Sequence, residues 1–217
     1  MNKKSIQDSK QKILQNIIFS AKEYKKNLIG KTFLLLFEGN SVEVMFKKDN
    51  FLHLCGVDTS LYAGDFYAKA VKGSLKSKEI HFSNIHPHRF SSIKTQNLSK
   101  IFSIFKTETL IITDITTSSH MYKLGTTDLK MVICFDENLN KDRKPINDIL
   151  IPYSLRMEDI SNNRFQEIYE VDYVFSKLTN TKEYSVLEFG NIDKLERYLD
   201  DNNITNYSIS ISNKTNK

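Results

Sequence analysis

Residues 32–47, TFLLLFEGNSVEVMFK, have the pattern of a β-hairpin. Both halves are rich in residues that favour strands, and Gly39-Asn40 between them is typical of a tight hairpin turn. Polar and apolar residues alternate in the second half, which predicts a strand with one side toward solvent. The first half is continuously apolar, and we expect it to lie nearer the middle of a sheet.

Helices are predicted on both sides of this hairpin. Apolar residues recur at helical spacing over residues 8–28, and Gly30 follows them, so we expect a helix that packs on a sheet. A second helix is predicted over residues 62–75. The stretch SSIKTQNLSKIFSIF, residues 91–105, predicts a third, amphipathic helix with Ser91 or Ser92 as its N-cap.

From Thr109 onward the sequence indicates strands. They are TLIITDI (109–115), HMYKLG (120–125), LKMVICFDE (129–137), ILIPYSL (149–155), EIYEVDYVFSKL (167–178) and EYSVLEF (183–189), with the polar run NLNKDRKPIND (138–148) as a turn and a short helix at 192–202. The fold class is therefore α+β, with N-terminal helices packed on a mainly antiparallel β-sheet. We expect one domain over residues 1–205 and a disordered tail over residues 206–217.

The amino-acid composition limits the classes of protein to which this chain can belong. The chain has 217 residues, 40% of them hydrophobic, and no apolar run approaches the roughly 18 residues of a membrane span. Cys55 and Cys134 lie in apolar runs and form no CxxC pair, which is typical of a reducing compartment, so we expect a cytoplasmic protein. Residues 1–110 hold 18 Lys and Arg against 9 Asp and Glu, and residues 111–217 hold 13 against 17. The basic first half predicts a polyanionic partner, or else a solvated lysine-rich surface.

The sequence lacks the motifs that several catalytic mechanisms require. The sequence has no GxxxxGK[ST], GxGxxG, GxSxG or HExxH, and adjacent carboxylates such as Glu158-Asp159 have ordinary surface settings, which disfavours a two-metal nuclease. His81, His86 and His88 fall within eight residues, but their spacing fits no familiar ligand pattern. We therefore expect an exposed loop there, with no metal and no cofactor.

His53 is the main catalytic candidate because it lies in the apolar run FLHLC just before Gly56. Histidine titrates near neutral pH and suits proton transfer; the alternative is a core histidine with satisfied hydrogen bonds. Metal-independent cleavage of RNA needs a base, an acid and donors around the phosphate, because RNA supplies its own 2′-OH. Arg156 is the candidate phosphate ligand, and Ser154 shares its strand face. The further candidates are Tyr67 or Ser154 as hydrogen-bond donor, and Lys123 and Lys69 as substrate-binding cations.

Three phrases of the sequence resemble a family of phage and mobile-element nucleases. They are FLHLCGVD (51–58), AGDFYAKA (63–70) and IPYSLR (151–156), together with the helix through Ile101, so the resemblance covers about residues 32–157. That family is placed in the barnase, EndoU, colicin and RelE-like (BECR) superfamily. The resemblance implies helices packed on an antiparallel sheet and metal-independent RNA cleavage. It also implies that His53 and Arg156 are the active-site residues. Residues 158–217 lie outside this resemblance. They are expected to be either an added strand pair and helix or an acidic segment that masks the basic half.

Two functions of different classes follow from these observations. The first is a metal-independent RNA endonuclease of phage or mobile-element origin. The second is a non-enzymatic protein that binds and inhibits a host defence or nucleic-acid-processing protein, because a fold does not determine a function. A nucleic-acid-binding regulator is less favoured, since no helix-turn-helix spacing or aromatic RNA-binding motif is present. A surface cleft with His53, Arg156 and a hydroxyl favours the nuclease, whereas a His53 sealed in the core favours the binder.

Overall fold

The computed structural model describes residues 3–116, 121–127, 131–157 and 165–211, with side chains from Gln7 onward. The helices of these residues are α1 (Lys3–Asn27), α2 (Asn50–Cys55), α3 (Ala63–Lys72), α4 (His88–Asn97) and α5 (Leu195–Asp201), with 3-10 helices at Ser77–Glu79, Leu98–Phe105 and Ile192–Lys194. The strands are β1 (Lys31–Phe37), β2 (Asn40–Met45), β3 (Leu110–Thr116), β4 (Met121–Thr127), β5 (Val132–Leu139), β6 (Pro145–Arg156), β7 (Ile168–Glu170), β8 (Tyr173–Leu178) and β9 (Val186–Phe189).

Within the described residues, nine strands form one sheet in the order β7-β3-β4-β5-β6-β2-β1-β8-β9. Neighbouring strands run antiparallel except β2 and β6, which meet in parallel at one residue pair. β7 and β8 are far apart in this order, yet only Val171 and Asp172 separate them in sequence. The N–H of Val171 donates to the carbonyl of Thr109, and the N–H of Asp172 donates to the carbonyl of Leu36. One segment therefore pairs with β3 and then with β1, so the sheet curves round and brings its β7 end close to β8.

The main core lies between the inner face of the curved sheet and the helices that precede β3. α1 packs there because its apolar residues recur every three to four positions and form one face. Phe33 of β1 stacks on Phe105 at a centroid distance of 4.5 Å, and Phe46 lies edge-on to both rings. The buried side chains of α1 are Ile13, Leu14, Ile17, Ser20, Ala21 and Tyr24.

The α+β fold with N-terminal helices on a mainly antiparallel sheet is confirmed. α1 and the hairpin β1–β2 fall where the sequence predicts them, and β1 lies between β2 and β8 with residues 32–37 buried. The turn, however, is Glu38-Gly39 and not Gly39-Asn40, because Phe37 pairs with Asn40 and both intervening residues have positive φ, at 45° and 75°. This is the backbone that a two-residue hairpin with right-handed twist requires.

Several local expectations were wrong. Ser91 and Ser92 are not helix caps, because α4 already begins at His88 after Pro87, and Ser91 is a buried residue inside it. The predicted single strand 167–178 is two strands, and the predicted turn 138–148 is shorter because β5 runs to Leu139 and β6 begins at Pro145. Within the expected disordered tail, residues 206–211 instead have defined contacts, since the backbone of Tyr184 bonds to residues 208 and 210. The remainder of that tail, residues 212–217, lies outside the described residues.

Membrane insertion through a helix is not indicated by the described residues. None of their helices combines the length and the apolar character needed to cross a bilayer.

Candidate active site

His53 lies on the solvent side of the short helix α2. Phe51, Leu54 and Cys55 of this helix are buried, while the side chain of His53 is exposed. The i, i+3, i+4 spacing of the buried residues explains this, because it places them on one face of the helix and His53 on the other. The structure thus places His53 at the surface and not in the core.

The end of α2 is fixed from both sides. Gly56 terminates the helix with φ 61° and ψ 44°, the left-handed conformation that glycine adopts without steric cost. The hydroxyl of Ser91 on α4 donates a hydrogen bond of 2.6 Å to the carbonyl oxygen of Gly56. The backbone that carries His53 is therefore tied to α4.

A β-bulge in β6 directs a tyrosine toward His53. Cys134 of β5 pairs with Ser154, whereas its neighbour Phe135 pairs with Pro152, so Tyr153 is the extra residue of the bulge. Bulges change the direction of a side chain, and proline, which cannot donate to a strand ladder, is found at such positions. The side chain of Tyr153 is 46% exposed.

Four side chains form a continuous series that runs from exposed His53 to half-buried Arg156, and we call it the aromatic row. The ring of Tyr153 stacks on the imidazole of His53, with centroids 5.7 Å apart and an angle of 7° between the planes. The ring of Tyr122 on β4 lies 6.0 Å from that of Tyr153. Cζ of Arg156 lies 5.8 Å from the centroid of Tyr122, within the range of a cation–π contact. The row therefore connects an imidazole to a guanidinium through two phenol rings.

The pKa of His53 is lowered from its ordinary value of 6.5. The main cause is partial desolvation by the surrounding protein atoms, followed by the charge of nearby His86; Asp49 acts in the opposite direction. Both main causes disfavour the imidazolium. The neutral form of His53, which can accept a proton, is therefore favoured.

The predicted site residues fall into two groups. His53 and Arg156 belong to the aromatic row, and Ser154 lies beside it, half-buried, on the face of β6 that it shares with Arg156. Tyr67 lies in the core against Tyr24 and Phe51, where burial raises its pKa to about 12.

The two predicted cations already contact carboxylates. Lys123 is exposed on β4, and its Nζ lies 3.7 Å from Oε1 of Glu137. Lys69 on α3 forms an ion pair with Glu79, whose carboxylate also accepts the N–H of Lys76 at the following 3-10 helix. Exposed pairs of this kind contribute little to stability, so Lys123 remains able to exchange its partner for a phosphate.

The three clustered histidines have separate roles. His86 bonds to Asp58, His88 contacts Ser9 and packs against Phe82, and the backbone of His81 pairs with that of Asp58. Across the described residues, no group of three or more His, Cys, Asp and Glu side chains is arranged to hold a metal ion.

Sequence reasoning missed Tyr153 and Tyr122. Strand alternation places Tyr153 on the opposite face from Arg156, and only the bulge brings the two into one row. Pro152 is the signal that could have revealed it, because a proline within a strand indicates an edge or a bulge. For Tyr122 the local sequence has no comparable signal.

The fold and the aromatic row together define an α+β protein with a candidate site where α2 meets the curved, mainly antiparallel sheet. The chain belongs to the phage-Barnase-EndoU-ColicinE5/D-RelE like nuclease4 family, PBECR4, whose family model matches residues 14–193. No curated protein and no solved structure matches the chain. The family match is wider than the resemblance over residues 32–157, and it includes most of α1 and the strands β7 to β9. Residues 158–193 therefore belong to the family region.

Proposed function

We propose that this chain is a metal-independent RNA endonuclease in which His53 transfers a proton and Arg156 holds the scissile phosphate. Membership of a nuclease family supports the reaction class. The observation that carries the proposal is the aromatic row, because its contacting rings link an exposed imidazole, whose neutral form is favoured, to a guanidinium.

The chemistry needs no nucleophile from the protein. His53 accepts the proton of the ribose 2′-OH, whose oxygen then attacks the adjacent phosphorus. The bond between O2′ and phosphorus forms, and the bond between phosphorus and O5′ breaks as O5′ takes up a proton. The products are a 2′,3′-cyclic phosphate and a free 5′-OH.

The other residues of the site act on the phosphate. Arg156 neutralises the negative charge that builds up on the non-bridging oxygens, and its planar fork suits two of those oxygens at once. The exposed phenol of Tyr153 and the hydroxyl of Ser154 are the candidate hydrogen-bond donors, since Tyr67 is buried. The excess of lysine in residues 1–110 provides a general attraction for the RNA backbone.

The test is cleavage of a labelled single-stranded RNA by the purified chain in the presence of EDTA. We expect cleavage with a 2′,3′-cyclic phosphate end and none of the same sequence made with 2′-O-methyl riboses. His53→Gln should lower the rate about 10²- to 10⁴-fold, the usual contribution of general acid–base catalysis. Arg156→Lys should also reduce it, because a point charge does not reproduce the guanidinium fork.

Matched controls separate these effects from general damage. His88→Gln removes a histidine that contacts Ser9 and Phe82, and Arg197→Lys changes an exposed arginine paired with Asp201. Both should cleave at the wild-type rate. A wild-type chain that leaves RNA intact, or a His53→Gln variant as active as His88→Gln, would overturn the proposal.

A further inference from the structure

A second histidine, His86, is bonded to Asp58 two residues beyond Gly56, where the helix that carries His53 ends, and its own loop holds it in place. The backbones of Asp58 and His81 exchange two hydrogen bonds of 2.8 and 3.0 Å, which brings the following loop back beside α2. Within that loop the N–H of Ser83 donates to the carbonyl of His86, and the hydroxyl of Ser83 accepts the N–H of His86 at 3.2 Å. The backbone of His86 is therefore fixed in a tight turn.

The side chain of His86 is oriented by a carboxylate. Its Nδ1 lies 2.7 Å from Oδ1 of Asp58, so Nδ1–H donates this bond. Nε2 is then the ring nitrogen that can exchange a proton with a substrate. The two side chains are 34% and 37% exposed, so the pair is accessible to a substrate. Asp58 is in turn held as a carboxylate, because hydrogen bonds from Ser83 and His86 lower its pKa.

His86 is close enough to His53 for its charge to lower the pKa of that residue. The charged and titratable groups around the two rings are Asp58, Asp49 and His81. Cleavage of RNA requires one group that accepts a proton and another that donates one. His53, whose neutral form is favoured, and His86, bound to a carboxylate, meet that requirement. In the second, a third group orients an acid–base residue.

We propose that His86, oriented by Asp58, is the second proton-transfer group of this site and protonates the leaving O5′ while His53 takes the proton of the 2′-OH. The inference rests on the proposed RNA cleavage. One proton passes from O2′ to His53 and one passes from Nε2 of His86 to O5′, as the bond from O2′ to phosphorus forms and the bond from phosphorus to O5′ breaks. After cleavage His53 has gained a proton and His86 has lost one, and proton exchange with solvent restores both residues.

A change of leaving group tests this role. In RNA with a bridging 5′-sulfur at the scissile bond, the leaving thiolate departs without a proton, so a general acid is not needed. His86→Gln should reduce cleavage of ordinary RNA about 10²- to 10⁴-fold and should cleave the sulfur-containing RNA near the wild-type rate. His53→Gln should fail on both substrates, because the 2′-OH still has to lose its proton. Asp58→Asn, a second variant, should show a smaller loss with the same rescue, and His88→Gln should behave as wild type on both.

Each outcome has a distinct meaning. Rescue of His86→Gln by the sulfur-containing RNA supports the acid role, which a merely structural histidine would not show. Equal loss on both substrates, or no loss on either, overturns the role of His86 while leaving the proposed nuclease in place. A wild-type chain that cleaves neither substrate overturns both proposals.

Discussion

The hydrogen bond from Ser91 to Gly56 should contribute measurably to stability. The bond joins α4 to the end of α2, and both residues are buried. In Ser91→Ala the carbonyl oxygen of Gly56 loses this buried donor at 2.6 Å. The perturbation removes one hydroxyl and changes no charge.

The expected size follows from two opposing contributions. A buried carbonyl left without its hydrogen bond costs about 1–3 kcal/mol. Alanine is the better helix former by about 0.5 kcal/mol, and this partly offsets the loss. The free energy of unfolding should therefore fall by roughly 0.5–2.5 kcal/mol, which for a domain of this size lowers Tm by about 2–4 °C for each kcal/mol.

The assay is urea denaturation followed by circular dichroism, with Ser92→Ala as the matched control. Ser92 is the next residue of α4 and is half-buried, and its hydroxyl makes only a 3.3 Å contact with exposed Gln96. Both variants gain the same helix propensity, so their difference isolates the bond to Gly56. Equal stability of the two variants would refute the reasoning.

Three further predictions concern charge and the C-terminal region. NMR titration should place the pKa of His53 below 6.5, and Asp49→Asn should lower it further; a value above 6.5 would contradict the assigned desolvation. Because the pKa of His53 is lower in the folded than in the unfolded state, the free energy of unfolding should fall as the pH drops from 6.5 through the pKa of the folded state. His53→Gln should lack this part of the pH dependence. Tyr184→Phe should lose about 1.5–3 kcal/mol in urea denaturation, since the buried phenol donates to the Glu43 carboxylate, whereas Tyr207→Phe at an exposed contact should change little. RNA affinity measured by fluorescence anisotropy should fall steeply with salt through counterion release, and an affinity that is flat across salt concentrations would count against the basic surface.

Local sequence patterns were sufficient for most elements of this fold. The helical spacing of residues 8–28 and the paired strands of residues 32–47 depend on contacts between near neighbours, which is why they could be predicted. The division of residues 167–178 into β7 and β8 could not be predicted, because it depends on partners in β3 and β1 that are distant in sequence. Ser91 illustrates the same limit, since a serine near a predicted helix start suggests a cap, yet it lies inside α4 and bonds to α2.

The site was predictable only in part. His53 and Arg156 could be chosen from their residue types and surroundings, and both belong to the aromatic row. Tyr153 could not, because alternation along a regular strand gives the wrong direction and one extra residue in the bulge reverses it. The prediction that Tyr67 belongs to the site was wrong for a different reason. An aromatic residue on an amphipathic helix can pack in the core as well as line a site, and Tyr67 packs against Tyr24 and Phe51.

The pairing of β1 with β8 has a consequence for protein synthesis. β1 is translated early, but its second neighbour is residues 173–178, so the curved sheet cannot be completed until those residues have left the ribosome. Until then one edge of β1 has no strand beside it, and the segment that joins β3 to β1 does not exist. We expect the nascent chain to stay unfolded over this region until β8 has been translated. The proposed RNA endonuclease would thereby stay inactive while it is still attached to the ribosome.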